Sequence, residues 1–196
     1  QVYSNTGGQN SESSVMPGGF DMNQFGAATQ GKHTEHKSVS ESLISGHGSP
    51  FVAQVSLANS GTLYKALVDG LYYRGTAFYQ TYTSCMPEHG IADNAAEVQA
   101  LKARDSRGMP EFVFNPMNGE VYADALNIST NQSYKTDWAQ KTSPVKKQRY
   151  KFTAAHWAFT EARFRFHHKK ITAEQTKDMV LIEEKIQLIT MDDIIH

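Results

Sequence analysis

Apolar positions are sparse over the first fifty residues and then fall into short, evenly spaced blocks. Gly, Ser, Thr, Asn, Gln and His dominate residues 1–50, a composition that predicts loops and turns, Met16-Pro17-Gly18-Gly19 among them. Phe51-Val52-Ala53-Gln54-Val55-Ser56-Leu57 is a β-prone run with the look of a buried strand. After the Asn59-Ser60-Gly61-Thr62 loop, Leu63, Ala66, Leu67 and Leu71 recur at helical spacing, predicting a helix of about 11 to 13 residues that Gly75 ends. Ala77–Thr83 is a second strand. Asp93 or Asn94 then caps a helix that would bury Ala95, Val98 and Leu101. Gly108 and Pro110 stop it, and Glu111–Phe114 is a third strand closed by Pro116.

Strands alternating with helices through short connections predict an α/β fold with a parallel sheet and right-handed crossovers. Ligands of such sheets bind at the carboxyl ends of the strands, and Cys85 lies just beyond that end of the second strand. From Met117 to about Pro144 the pattern weakens into polar loop. Phe152, Ala155, Phe159, Ala162 and Phe166 form an apolar stripe on a predicted helix from Phe152 to about His167, read as core. A last helix is expected from Thr172 or Glu174 to about Leu188. The division this suggests is a domain over residues 1–139 and a mostly helical extension over 140–196.

The chain has 196 residues, 19 basic against 20 acidic, for a net charge of −1, which gives no electrostatic case for nucleic acid. No apolar run approaches the roughly 20 residues that span a bilayer, and no start resembles a signal peptide. The expectation is no membrane partner and a cytoplasmic or organelle-matrix location. A single cysteine rules out an internal disulfide framework and a zinc site built from several cysteines. The triplets beginning at Asn127 and Asn131 match a glycosylation pattern that matters only in secreted proteins.

Most local candidates for chemistry have a plainer reading. His33 and His36 stand at a metal-compatible spacing, but in a Gly/Ser-rich stretch that favours a solvated loop. His167-His168-Lys169-Lys170 and Lys146-Lys147 read as solvated basic faces. His89, near Cys85, is a loop histidine or a group that tunes whatever Cys85 binds; nothing marks Glu88 as an acid or base. Asn5-Thr6-Gly7-Gly8 is a turn signal whose glycines let backbone approach a ligand closely. So tight a turn beside residue 1 suggests a piece of a longer polypeptide.

Three segments in order carry a more specific message. Val2-Tyr3-Ser4-Asn5-Thr6-Gly7-Gly8-Gln9, the strand Phe51–Leu57, and Ser84-Cys85-Met86-Pro87-Glu88-His89-Gly90-Ile91 together resemble the thiamine-diphosphate domain near the carboxyl end of the pyruvate:ferredoxin (2-oxoacid:ferredoxin) oxidoreductases. The resemblance covers residues 1 to about 116 and implies part of a thiamine-diphosphate-binding fold. It implies that Val2, Tyr3, Ser4 and Asn5 contact the cofactor, with the Val2 carbonyl on Mg²⁺ and Asn5 reaching the diphosphate and the oxoacid. Mg²⁺ favours oxygen ligands shared with phosphates, which suits such a turn. It further implies that Cys85 completes a [4Fe–4S] cluster whose other cysteines lie in other domains or chains, since a cluster needs four ligands.

The activity implied is oxidative decarboxylation of pyruvate or a related 2-oxoacid to acyl-CoA and CO2, with electrons passing through iron–sulfur clusters to ferredoxin or a similar acceptor. The implied partners are the remaining domains or subunits of the enzyme, the 2-oxoacid, coenzyme A and further copies in a homo-oligomer. The Gly-Asp-Gly segment that completes the family's metal site is not in this sequence. The isolated chain is therefore expected to be inactive, and a non-catalytic assembly subunit of the same fold is the alternative.

Overall fold

The computed structural model describes residues 39–131, 139–142, 147 and 149–162. The expected turn at residues 1–9, the histidines at 33 and 36, Lys146, the basic run at 167–170, the expected last helix and the later part of the Phe152–His167 helix lie outside them.

The sheet is built around β1 (Phe51–Ser56), all six residues of which are buried. A strand in that position needs hydrogen-bonded neighbours on both edges and cover on both faces. β2 (Ala77–Tyr82) pairs with it in parallel, Phe51 opposite Ala77 through Ser56 opposite Tyr82. α2 (Ser60–Tyr72) makes the crossover between them, and Asn59 caps it by accepting the Thr62 N–H at 3.0 Å. α2 covers the face of Phe51, Ala53 and Val55, where Ala66 and Tyr79 complete one core cluster. Gly70 is the contact point, because a Cβ there would overlap the Tyr79 hydroxyl and lie 2.8 Å from Tyr79 Cζ and 3.0 Å from Phe51 Cδ1. Of the predicted stripe on α2, only Ala66 is buried; Leu71 is 83% exposed.

α1 (Val39–His47) covers part of the opposite face, with Leu43 and Ile44 against Val52, Phe112, Phe114 and Ala125. The Ser40 hydroxyl donates to Gln80 Oε1 at 2.7 Å.

The predicted third strand forms, as β3 (Phe112–Phe114), but it runs antiparallel to β1, with Val52 opposite Phe114 and Gln54 opposite Phe112. The sheet is therefore mixed, in the order β2-β1-β3-β4, with β4 (Leu126–Asn127) antiparallel to β3. The correction has a local cause. After β2 the chain makes α3 (Met86–His89) and α4 (Ala96–Asp105), and α4 packs on the 3₁₀ turn Leu57–Asn59 at the carboxyl end of β1 instead of crossing a sheet face. Arg104 Nη1 donates to the Ala58 carbonyl at 3.4 Å there. The chain then enters β3 from the same end at which β1 finishes.

α4 also turns a different face inward from the one predicted. Gln99, Ala100, Ala103, Arg104 and Asp105 are buried, while Val98 is 49% exposed. The region expected to be loop contains a 3₁₀ turn (Pro116–Asn118), α5 (Tyr122–Ala125) and β4. The carboxyl-terminal extension opens with an antiparallel ribbon, β5 (Gln140–Thr142) and β6 (Arg149–Lys151), before α6 (Ala154–Phe159). Lys141 Nζ reaches Asp105 Oδ2 at 2.6 Å, while Arg104 Nη2 lies 3.0 Å from Oδ1, so the ribbon is tied to α4 through a buried carboxylate. On α6 the buried side chains include His156, Trp157 and Ala158, not Phe159. Trp157, Ala158 and Phe152 join Tyr82, Ala100, Ala103 and Met109 in a third core cluster.

The first turn of α6 is closed by His156, whose Nδ1 accepts the Thr153 N–H at 3.0 Å. Burial lowers the His156 pKa below the usual imidazole value. The unfolded chain then binds more protons, so this residue's share of stability is present above about pH 6.5 and is lost as pH falls below it. Urea denaturation across pH 5 to 7.5 should show stability rising with pH, and His156→Gln should flatten that slope; an unchanged slope in the variant would contradict the assignment. At the α2 contact, Gly70→Ala should lower the urea midpoint by the equivalent of about 1–3 kcal/mol, as overpacking does. Tyr79→Phe in the same background should restore part of it, and a neutral Gly70→Ala would refute the close approach.

Candidate functional site

Cys85 sits three residues past Tyr82, at the carboxyl edge of the parallel β1/β2 pair, where the sequence placed it. It is a free thiol, half-buried, and the residue that precedes the first turn of α3. Its side chain makes no capping bond. Its carbonyl accepts the His89 N–H at 2.8 Å, which closes that turn. Gly90 ends α3 at a φ of 64°, in left-handed backbone, with its N–H on the Met86 carbonyl at 2.9 Å. A Cβ at Gly90 would overlap Ala162 Cβ, so the turn is pressed against the segment after α6.

His89 is the last residue of α3 and is buried, at 4% exposure, where the sequence allowed a simple loop histidine. Its Nδ1 lies 3.6 Å from Glu161 Oε1, and its ring is 6.4 Å from that of Tyr82. Glu161 has no exposed surface. The Tyr82 hydroxyl donates to Glu161 Oε1 at 3.2 Å, and Gln99 Nε2 approaches the same oxygen at 3.4 Å. Gln99 is held in turn by Thr160, Nε2 donating to Oγ1 at 3.0 Å and Oγ1 to Oε1 at 3.2 Å. β2, α3, α4 and the end of α6 thus meet in one buried polar cluster behind the Cys85 turn. At its margin, burial pulls the Lys102 pKa down, Glu161 pushes it up, and Lys141 lowers it further.

Tyr82, Gln99 and Glu161 went unremarked in the sequence, and no periodic signal marks them. Gln99 is a polar residue on a helix, and Glu161 falls between Phe159 and Ala162 within the predicted apolar stripe. The one usable clue was that Tyr82 belongs to the strand leading to Cys85.

Among the described residues no group of three or more His, Cys, Asp or Glu could hold a metal ion. A thiol that is half-buried, outside any disulfide and free of a capping bond is nevertheless chemically able to serve as a single metal ligand. The hydroxyl of Ser84, next to it in sequence, is buried without a hydrogen-bond partner among the described residues. Val2, Tyr3, Ser4 and Asn5 lie outside the described residues, so they are not brought together with Cys85 here. No described helix is long and apolar enough to cross a membrane.

No protein-family model matches the chain. Individual relatives do. The chain is 36% identical over 118 residues to the mitochondrial pyruvate dehydrogenase [NADP(+)] of Euglena gracilis and 34% identical over 122 residues to the pyruvate dehydrogenase [NADP(+)] of Cryptosporidium parvum. It is 33% identical over 121 residues to the pyruvate:ferredoxin oxidoreductase of Moorella thermoacetica. Each match covers 59% of this chain but only 6 to 9% of the relative.

Proposed function

Starting from the chain's relationship, over 59% of its length, to the pyruvate:ferredoxin oxidoreductase family, we propose that it is a portion of a 2-oxoacid oxidoreductase, pyruvate being the substrate favoured by the relatives' names. In this reading it supplies one edge of a thiamine-diphosphate site and one ligand of an iron–sulfur cluster. The observation that carries the reading is the position of Cys85: a free, half-buried thiol at the carboxyl edge of a parallel strand pair, backed by a buried polar cluster.

Cys85 would hold the cluster as a thiolate, the other three cysteines coming from other domains or chains. The cluster, when bound, supplies one-electron transfer. This chain's own contribution is to fix where the sulfur sits and to keep water from the protein side of it. The His89 N–H bond to the Cys85 carbonyl fixes the backbone at the ligand, and Tyr82, Gln99 and Glu161 are hydrogen-bonded together behind it.

By resemblance, Val2, Tyr3, Ser4 and Asn5 would line the cofactor's diphosphate, the Val2 carbonyl binding Mg²⁺ and Asn5 reaching the bound oxoacid. Coenzyme A, ferredoxin or a similar acceptor, and the remaining domains or subunits complete the proposed system, in a homo-oligomer. Within the chain, residues 1–139 would form the carboxyl-terminal half of the thiamine-diphosphate domain and 140–196 an extension to it.

In the complete enzyme, Cys85→Ala should remove one cluster, seen as a loss of about four iron atoms per active site, and should slow acceptor reduction while 2-oxoacid binding persists. Full iron content together with unchanged electron transfer would end the assignment of Cys85.

A further inference from the structure

We propose that Glu161 is a positioning residue for the Cys85 thiolate, acting through His89. The inference rests on the reading of Cys85 as a cluster ligand and adds to it a residue 76 positions downstream, outside the three segments that carry the family resemblance.

The geometry is a relay of two contacts through His89. Glu161, wholly buried, stands with Oε1 3.6 Å from His89 Nδ1. The His89 backbone N–H donates to the Cys85 carbonyl at 2.8 Å. Cys85 therefore sits at one end of a single helical turn and the imidazole that Glu161 engages at the other. A four-residue helix has almost no intrinsic stability, since nucleation fixes several dihedrals for one hydrogen bond. Its orientation has to come from tertiary contacts, and those of the described residues converge on the His89 end. Gly90 presses on Ala162, next in sequence to Glu161.

A buried carboxyl group is tolerated only where donors surround it in fixed directions. Tyr82 Oη at 3.2 Å and Gln99 Nε2 at 3.4 Å are two such donors, each anchored in a different element, β2 and α4. Gln99 is locked by Thr160, adjacent to Glu161. The carboxyl group is thereby pinned to the sheet and to α4, and His89 Nδ1 stands 3.6 Å from it, beyond hydrogen-bond distance but in reach of an ion pair when the imidazole is protonated. Contacts made to a metal ligand from behind orient it and set its metal affinity, and their loss typically costs about 10–100-fold.

The test uses the complete enzyme with three variants. Cys85→Ala identifies, by electron paramagnetic resonance, which cluster signal depends on this chain. Glu161→Gln keeps the shape and removes the carboxylate. We expect iron to remain bound, the g-values and line width of that one cluster to change with the other clusters untouched, and its removal by a chelator to run about tenfold faster. A purely structural role would lower thermal stability without altering the resting spectrum of one cluster. If Glu161→Gln does not accumulate as folded protein, Tyr82→Phe deletes one donor to the same carboxyl oxygen and should produce a smaller change of the same kind.

The outcomes separate the two claims. A Cys85→Ala enzyme with every cluster intact overturns the ligand assignment and this proposal with it. A Cys85→Ala enzyme lacking one cluster, alongside Glu161→Gln or Tyr82→Phe with a wild-type spectrum and chelation rate, overturns the positioning role alone.

Discussion

Everything in this fold is arranged around the complete burial of β1. Its six residues have no solvent on either face or either edge, so every polar atom they carry needs a partner inside the protein. The backbone meets that constraint by pairing with β2 and β3, while Phe51, Ala53 and Val55 pack under α2. The other face begins with Val52 but turns polar at Gln54 and Ser56. Gln54 Nε2 donates to the Pro110 carbonyl at 2.7 Å, and the Ser56 hydroxyl to Glu111 Oε1 at 2.6 Å. Glu111 is gripped on its backbone by Asn131, which accepts its N–H at 2.9 Å and donates to its carbonyl at 2.6 Å. Each such bond contributes about 0.5–1.5 kcal/mol, and leaving its donor unpaired would cost more. These bonds require Pro110 and Glu111 to stand at the carboxyl end of β1, and a strand that starts there runs antiparallel to it.

The same constraint decides where α4 goes. A helix that must deliver the chain to the carboxyl end of β1 has no reason to cross the sheet. It packs on the 3₁₀ turn Leu57–Asn59 and needs a second cover for its other side. Trp157, Ala158 and Phe152 provide it, with the Tyr82 and Trp157 rings meeting edge to face at 6.4 Å. The ribbon β5/β6 brings that cover into position, and the Lys141–Asp105–Arg104 contacts secure it. The carboxyl edge of the sheet thus becomes a small layered assembly in its own right, and Cys85 emerges from it.

How much of this was legible follows from how each element is encoded. β1 and β2 were readable to within a residue, because continuous apolar blocks are strong signals, while α2 begins three residues earlier than its helical repeat indicated, taking Ser60–Thr62 out of the expected loop because Asn59 caps it. Strand direction was not readable. Phe112–Phe114 is three residues long and carries no mark of whether it runs up or down; the deciding bonds come from Gln54 and Ser56, two ordinary polar residues. Helix faces failed for a related reason. α4 buries Gln99, Arg104 and Asp105 because their partners are buried nearby, so hydrophobicity pointed to Val98 instead. Cys85 was placed correctly because the end of β2 determines its position. His89, Gln99 and Glu161 gain their meaning only from one another, across 72 residues of chain.

A polar cluster, rather than more apolar packing, stands behind Cys85, and the choice has mechanical consequences. Apolar contacts are short-ranged but tolerant of direction, so a core of Leu and Phe would hold a one-turn helix at the right distance while letting it swivel. A buried carboxyl group accepts few arrangements, because every misalignment exposes unsatisfied charge or lone pairs at low dielectric. Tyr82 reports the position of β2 to Glu161, Gln99 reports that of α4, and His89 carries the result to the Cys85 turn. The thiol is thereby referenced to the sheet and to the segment after α6 at once. On the proposed reading of Cys85 as a cluster ligand, its sulfur cannot search for a cluster held by other segments. It has to be presented already in place, and that is what a directional, fully buried contact set supplies and a greasy one does not.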